Sequence, residues 1–195
     1  MQNNNGKQNV QELNRKVAVI GYREVGKTSL ATAFVRGGHF SPSYEPTIEN
    51  TFRKTIEFKR VHFHTEVIDT AGMDEYSRLS PKASVGVNGY ILVFSLTSSL
   101  SFQKLRFVHG TLLNMLGDPP DLPMVLVGSK CDLRDQRQVS YEEARALADE
   151  WNCPFLETSS RDNYNVEETF STLIKVIEKD NELLNEQEEP PCTIL

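Results

Sequence analysis

The chain has 195 residues, 38 % of them hydrophobic and 25 % charged, which suits one domain with a single core and excludes wholesale disorder or a fibrous repeat. The segment from Glu178 to Pro191, six acids against Lys179, carries −5 of the net charge of −6, so no basic face suits a nucleic-acid duplex and nucleic acid is not an expected partner. Three cysteines, Cys131, Cys153 and Cys192, cannot all pair and show no metal-ligand spacing, which predicts a reducing, intracellular setting.

Met1 to Asn14 is polar and rich in Asn and Gln, and reads as a flexible tail without the apolar run of a signal peptide; no stretch approaches the roughly 18 apolar residues of a membrane span. Lys16 to Ile20 is an apolar run entering a Gly-rich turn, and Lys27 to Arg36 has helical spacing before Gly37 and Gly38. Between them Gly21-Tyr22-Arg23-Glu24-Val25-Gly26-Lys27-Thr28 fits G-x-x-x-x-G-K-[ST] in the strand, loop, helix context that the pattern requires. Glycines at its two ends let the backbone close on a polyphosphate, with donors from the amides of Arg23, Glu24, Val25 and the helix start at Ser29. Lys27 reaches the β- and γ-phosphates, and Thr28 is a candidate ligand for Mg²⁺.

Thr51 to Lys59 and Val61 to Asp69 alternate around a tight polar link, which predicts a hairpin. Asp69-Thr70-Ala71-Gly72 follows its second strand: Asp69 is placed to hold Mg²⁺ through water, and the Gly72 amide to meet a γ-phosphate. Apolar runs at Tyr90 to Leu96, Met124 to Gly128 and Cys153 to Glu157 alternate with helical patterns at Ser99 to Leu116, Ser140 to Trp151 and Val166 to Leu184, the second opened by a Ser140/Glu143 capping box. Gly128-Ser129-Lys130-Cys131-Asp132 and Glu157-Thr158-Ser159-Ser160-Arg161 each follow a strand. A carboxylate at Asp132 accepts from the guanine N1–H and exocyclic amine, a pattern adenine does not offer, and a backbone N–H at Ser159 to Arg161 would meet the guanine O6. The alternation predicts an α/β, doubly wound fold: a six-stranded, mostly parallel sheet with one antiparallel edge strand, about five helices, and ligands at the strand C-terminal ends.

These loops, with Tyr44-Glu45-Pro46-Thr47-Ile48-Glu49-Asn50-Thr51-Phe52 and Asp74-Glu75-Tyr76-Ser77, resemble the Ras superfamily over roughly Lys16 to Lys179. The resemblance implies a P-loop G domain over 15–179, between the tail 1–14 and an acidic tail 180–195. It implies Thr47 as second Mg²⁺ ligand and γ-phosphate sensor, Phe40 edge-on against guanine, Tyr44 closing over the phosphates, and Lys27, Thr47, Gly72 and Met73 as the catalytic set. Two switches would run over about Phe40 to Asn50 and Gly72 to Leu79, with Ile48, Glu49 and Asn50 meeting an effector. The branch of the superfamily that it most resembles implies the TOR kinase complex as that effector, besides GTPase-activating and exchange proteins, and a monomer cycling between GTP and GDP.

Three positions depart from the family pattern: Met73 stands where a glutamine orients the attacking water, Ser129 where an asparagine bridges base and phosphate loop, and Ser160-Arg161 where alanine and lysine are usual. Slow hydrolysis is therefore expected, from a thioether that accepts weakly and from Arg23 crowding the entry of an arginine finger. Weakened nucleotide binding is expected from a Ser129 hydroxyl too short to make the bridge. The rival expectations are a binding module that does not hydrolyse, or an ATPase or nucleotide kinase. Cys192-Thr193-Ile194-Leu195 fits C-a-a-X with a terminal leucine that favours geranylgeranyl, which predicts a prenyl anchor on the cytosolic face of endomembranes.

Overall fold

Alternating burial along short apolar runs builds one sheet in this computed structural model, which describes residues 10–38, 49–58, 60–74 and 80–179. Its strands are β1 (Gln11–Gly21), β2 (Glu49–Phe58), β3 (Val61–Thr70), β4 (Gly89–Ser95), β5 (Met124–Ser129) and β6 (Phe155–Glu157). Their order is β2-β3-β1-β4-β5-β6, with β2 antiparallel to β3 and every other pair parallel. The helices are α1 (Lys27–Arg36), α2 (Ser99–Gln103), α3 (Leu105–Leu116), α4 (Tyr141–Glu150) and α5 (Val166–Ile177). None among the described residues is long and apolar enough to cross a membrane.

Successive strand residues point to opposite faces, so each strand feeds two cores. Val17, Val19, Ile91, Val93, Val125 and Val127 face α1 and α5, where the rings of Phe34 and Phe170 stack with centroids 3.7 Å apart. Ala18, Ile20, Leu92, Phe94 and Leu126 face α3 and α4 through Leu105, Val108, Leu112, Ala144 and Leu147. Every residue of β4 is buried, as a parallel strand covered on both faces requires.

Three predicted boundaries need correction. The tail reading of 1–14 fails from Gln11 onward, because β1 begins there. Gln11 to Lys16 pair with β3 alone, whereas Val17 to Val19 pair with both β3 and β4, and Ile20 and Gly21 with β4; a half-covered strand end tolerates polar residues, and that polarity looks like a tail. The helix read over Ser99 to Leu116 is two segments meeting at Lys104. Ser101 anchors the first to β4: its hydroxyl accepts from the Ser95 N–H at 3.0 Å and donates to the Ser98 carbonyl at 2.8 Å. The last helix ends at Ile177, and 180–184 lie outside the described residues. The Ser140 capping box forms as expected.

Candidate nucleotide-binding site

The phosphate loop leaves β1 where no side chain fits. A Cβ on Gly21 would come within 2.2 Å of the Val93 carbonyl oxygen, and Gly26 caps α1 at φ 94°, in the left-handed region. Glu24 is left-handed as well, at φ 61°. Lys27 folds back over the loop, its Nζ donating to the Tyr22 carbonyl at 2.8 Å. The ammonium is buried, and burial pulls its pKa down to about 8 against the opposing pull of Asp69.

Asp69, near the end of β3 and level with Val19 of β1, is fully buried. Neither of its carboxylate oxygens accepts a hydrogen bond among the described residues. Burial raises its pKa, while Thr28, Lys27 and Asn50 stand near enough to favour the charged form. An unpartnered buried carboxylate is costly unless a cation completes it, and an oxygen donor set of carboxylate and threonine suits Mg²⁺. The residues present therefore fit the ion.

The segment after Asp69 is fastened to the phosphate loop. The Met73 N–H donates to the Gly21 carbonyl at 3.0 Å, and Tyr22 and Met73 form a bridge. Gly72 lies so close that a Cβ there would stand 2.5 Å from the Arg23 Cα. Arg23, half-exposed, closes the junction with an ion pair to Asp74 at 2.5 Å, its guanidinium 5.6 Å from the Tyr22 ring centre. The Met73 side chain is 2 % exposed and joins the apolar cluster that contains Ile20, Ile68 and Ala83. Its thioether is thus a core group.

The loops after β5 and β6 complete the strand-end cluster. Ser129 is buried; its hydroxyl donates to the Val25 carbonyl and lies 2.9 Å from that of Phe94. The hydroxyl makes the phosphate-loop half of the bridge expected of an asparagine here, because β5 itself runs close to the loop, with Ser129 Cβ 3.8 Å from where a Gly26 Cβ would stand. Lys130, at φ 64°, crosses the loop to the Glu24 carbonyl at 2.8 Å, and burial lowers its pKa. Asp132 is partly buried beside it. Ser159 is buried and accepts from the Asp162 N–H at 3.0 Å, which closes the turn carrying Ser160 and Arg161.

Of the remaining predicted site residues, Phe40, Tyr44, Thr47, Ile48 and Cys192 lie outside the described residues. Asn50 is exposed, and Ser29 sits in the first turn of α1. Glu49 is engaged internally: it accepts from the Ser80 hydroxyl and pairs with Lys82 at 3.1 Å, which holds its carboxyl below the usual range. Sequence reasoning missed Asp74, Ser80 and Lys82 as partners, since no periodicity or motif links residues 31 to 51 positions apart.

The matches to known proteins run through all these loops. A family model described as Ras family matches residues 16–179. The chain is 47 % identical over 169 residues to the GTP-binding protein Rheb of Homo sapiens, spanning 87 % of this chain and 91 % of that protein. Over 165 residues it is 50 % identical to the GTP-binding protein rhb1 of Schizosaccharomyces pombe, spanning 85 % and 88 %. Identity to the small monomeric GTPase RhbA of Aspergillus fumigatus is 48 % over 166 residues, again 85 % and 88 %. With the phosphate loop, the Asp69 loop and both base-side loops inside residues 16–179, and with 47–50 % identity to these relatives, the chain belongs to the Ras family of small GTPases, on its Rheb-like side.

Proposed function

We propose that the chain is a Mg²⁺-dependent GTP/GDP switch that hydrolyses GTP and signals to the TOR kinase complex through its switch segments, from a membrane reached by a prenyl group on Cys192. The observation that carries the nucleotide reading is the unpartnered, buried Asp69 carboxylate beside Thr28 and Lys27 at the phosphate loop. Thr28 and Asp69, with Thr47, would hold the ion, whose positive charge would offset the negative charge of the β- and γ-phosphates.

The chain's own groups supply the rest. Amides of the phosphate loop and the Lys27 ammonium take up the negative charge that grows on the phosphate oxygens as water attacks the γ-phosphorus. The bond from that phosphorus to the β,γ-bridging oxygen breaks, GDP leaves with the electron pair, and inorganic phosphate is released. The Gly72 N–H is the donor to the γ-phosphate, and Asp132 selects guanine. Because Met73 turns into the core, no side chain at that position aligns the water, which favours slow hydrolysis.

The test is the nucleotide released when the purified protein is denatured: GDP or GTP is expected, and adenine nucleotide would refute the guanine reading. Chelation of Mg²⁺ should speed release of fluorescent mantGDP at least tenfold, excess ATP should not compete with GTP, and single-turnover GTP hydrolysis should be slow but measurable. A rate indistinguishable from that of GTP in buffer would leave a pure binding module.

A further inference from the structure

Two side chains at the end of β5 grip two successive carbonyls of the phosphate loop. Lys130 donates to Glu24 at 2.8 Å, and Ser129 donates to Val25 from a buried position. A trans peptide is planar, so each N–H points opposite to the carbonyl of the residue before it. Drawing the Glu24 and Val25 carbonyls toward β5 therefore turns the N–H groups of Val25 and Gly26 away from β5. The left-handed conformations at Glu24 and Gly26, φ 61° and 94°, belong to a backbone that gathers N–H groups around an anion. Neither of these two N–H groups donates to a backbone carbonyl among the described residues. Ser129 sits directly behind this peptide, 3.8 Å from the Cβ position of Gly26.

We infer that Ser129 is a positioning residue for the phosphates: its hydroxyl fixes the Val25 peptide so that the Gly26 N–H faces the phosphate chain, and it acts on nucleotide affinity through the phosphates and not through the base. This deepens the guanine-nucleotide reading above and rests on it. The hydroxyl is the operative group, so a side chain of the same shape without it should fail.

The test uses the full chain with Mg²⁺ and four forms: wild type, Ser129→Ala, Ser129→Thr and Ser129→Val. Threonine and valine match in shape, so any strain from the extra methyl cancels between them and only the hydroxyl differs. Release of mantGDP should be roughly five- to fiftyfold faster in Ser129→Ala than in wild type, and faster in Ser129→Val than in Ser129→Thr by a similar factor. The ratio of GDP to IDP affinity, which reads the exocyclic amine of the base, should stay within twofold in all four, while the ³¹P resonance of the bound β-phosphate should move in the alanine and valine forms only. Equal release from the threonine and valine forms overturns the inference, as does a ratio of GDP to IDP affinity that falls as release quickens. Wild-type protein that binds no guanine nucleotide overturns the earlier reading and this one with it, so the two failures are told apart.

Discussion

At the scale of single residues, Met73 shows how one side chain can leave a site without being a defect. A methionine there looks, in the sequence, like a poor stand-in for a water-aligning group. In the fold its side chain has gone inward, 2 % exposed, among Ile20, Ile68 and Ala83, while its backbone still holds the Gly21 carbonyl. Met73→Gln would bury a carboxamide without partners, at about 1–3 kcal/mol. Thermal unfolding should show this as a Tm lower by roughly 2–10 °C for a chain of this size. Single-turnover hydrolysis should change less than tenfold; a hundredfold rise would mean that the new side chain faces water and that methionine was the brake.

Among the elements, the junction between the phosphate loop and the segment after β3 has the least room. A Cβ on Gly72 would stand 2.5 Å from the Arg23 Cα and 2.8 Å from its Cβ, backbone and side-chain base alike, so neither partner yields by a rotamer change. Gly72→Ala must therefore lift the segment off the loop, and with it the Gly72 N–H that is proposed to meet the γ-phosphate. The expected outcome is a loss of at least tenfold in GTP affinity with GDP affinity within about threefold; equal losses for both nucleotides would put the clash elsewhere. Arg23 and Asp74 pair at this junction with half the guanidinium in water, so the pair adds at most about 1 kcal/mol and guides the loop more than it holds it.

The elements also show what was legible beforehand. The phosphate loop, the Asp69 loop and both base-side loops could be read because each is a short motif at the end of an apolar run, and both parts are local in sequence. The start of β1 could not, since Gln11 to Lys16 gain their place from pairing with one neighbour and carry no apolar signature. The break at Lys104 was hidden for a similar reason: helical spacing continues across it, and the anchoring of Ser101 to β4 leaves no mark on that spacing. The grip of Ser129 on Val25 spans 104 positions; the family pattern implied a bridge from this position, but not that a hydroxyl would make its phosphate-loop half.

For the whole molecule, charge and lipid set opposing tendencies. If Cys192 carries a prenyl group, the acids between Glu178 and Glu189 stand beside it, with no basic patch and no second nearby cysteine to strengthen the hold. One lipid alone binds reversibly, and anionic leaflets repel the tail at low salt. Fractionation of cells should find wild type divided between membrane and soluble pools and Cys192→Ser wholly soluble; identical distributions would exclude the anchor.

Glu49 has a consequence for how a partner would perceive the molecule. Glu49 lies inside the segment read as the first switch, Ser80 lies next to the segment read as the second, and the one carboxylate binds Ser80 and Lys82, so it is a post shared by the borders of the two. A binder that draws Glu49 away from Ser80 and Lys82 frees the turn at Pro81–Ala83 as well, and one that holds Glu49 in place holds both. The Ser80 hydroxyl, then Lys82, keep the carboxyl ionised below its ordinary 4.5, with burial opposing. A depressed folded pKa stabilises above the ordinary value and is lost as pH falls through the lowered one, so the post holds across the neutral range. Glu49→Gln should make amide hydrogen exchange faster in both segments at pH 7, and that difference from wild type should fade as the medium is acidified below about 4.5. Exchange that quickens in one segment alone would show two independent gates, which a partner must then read one at a time.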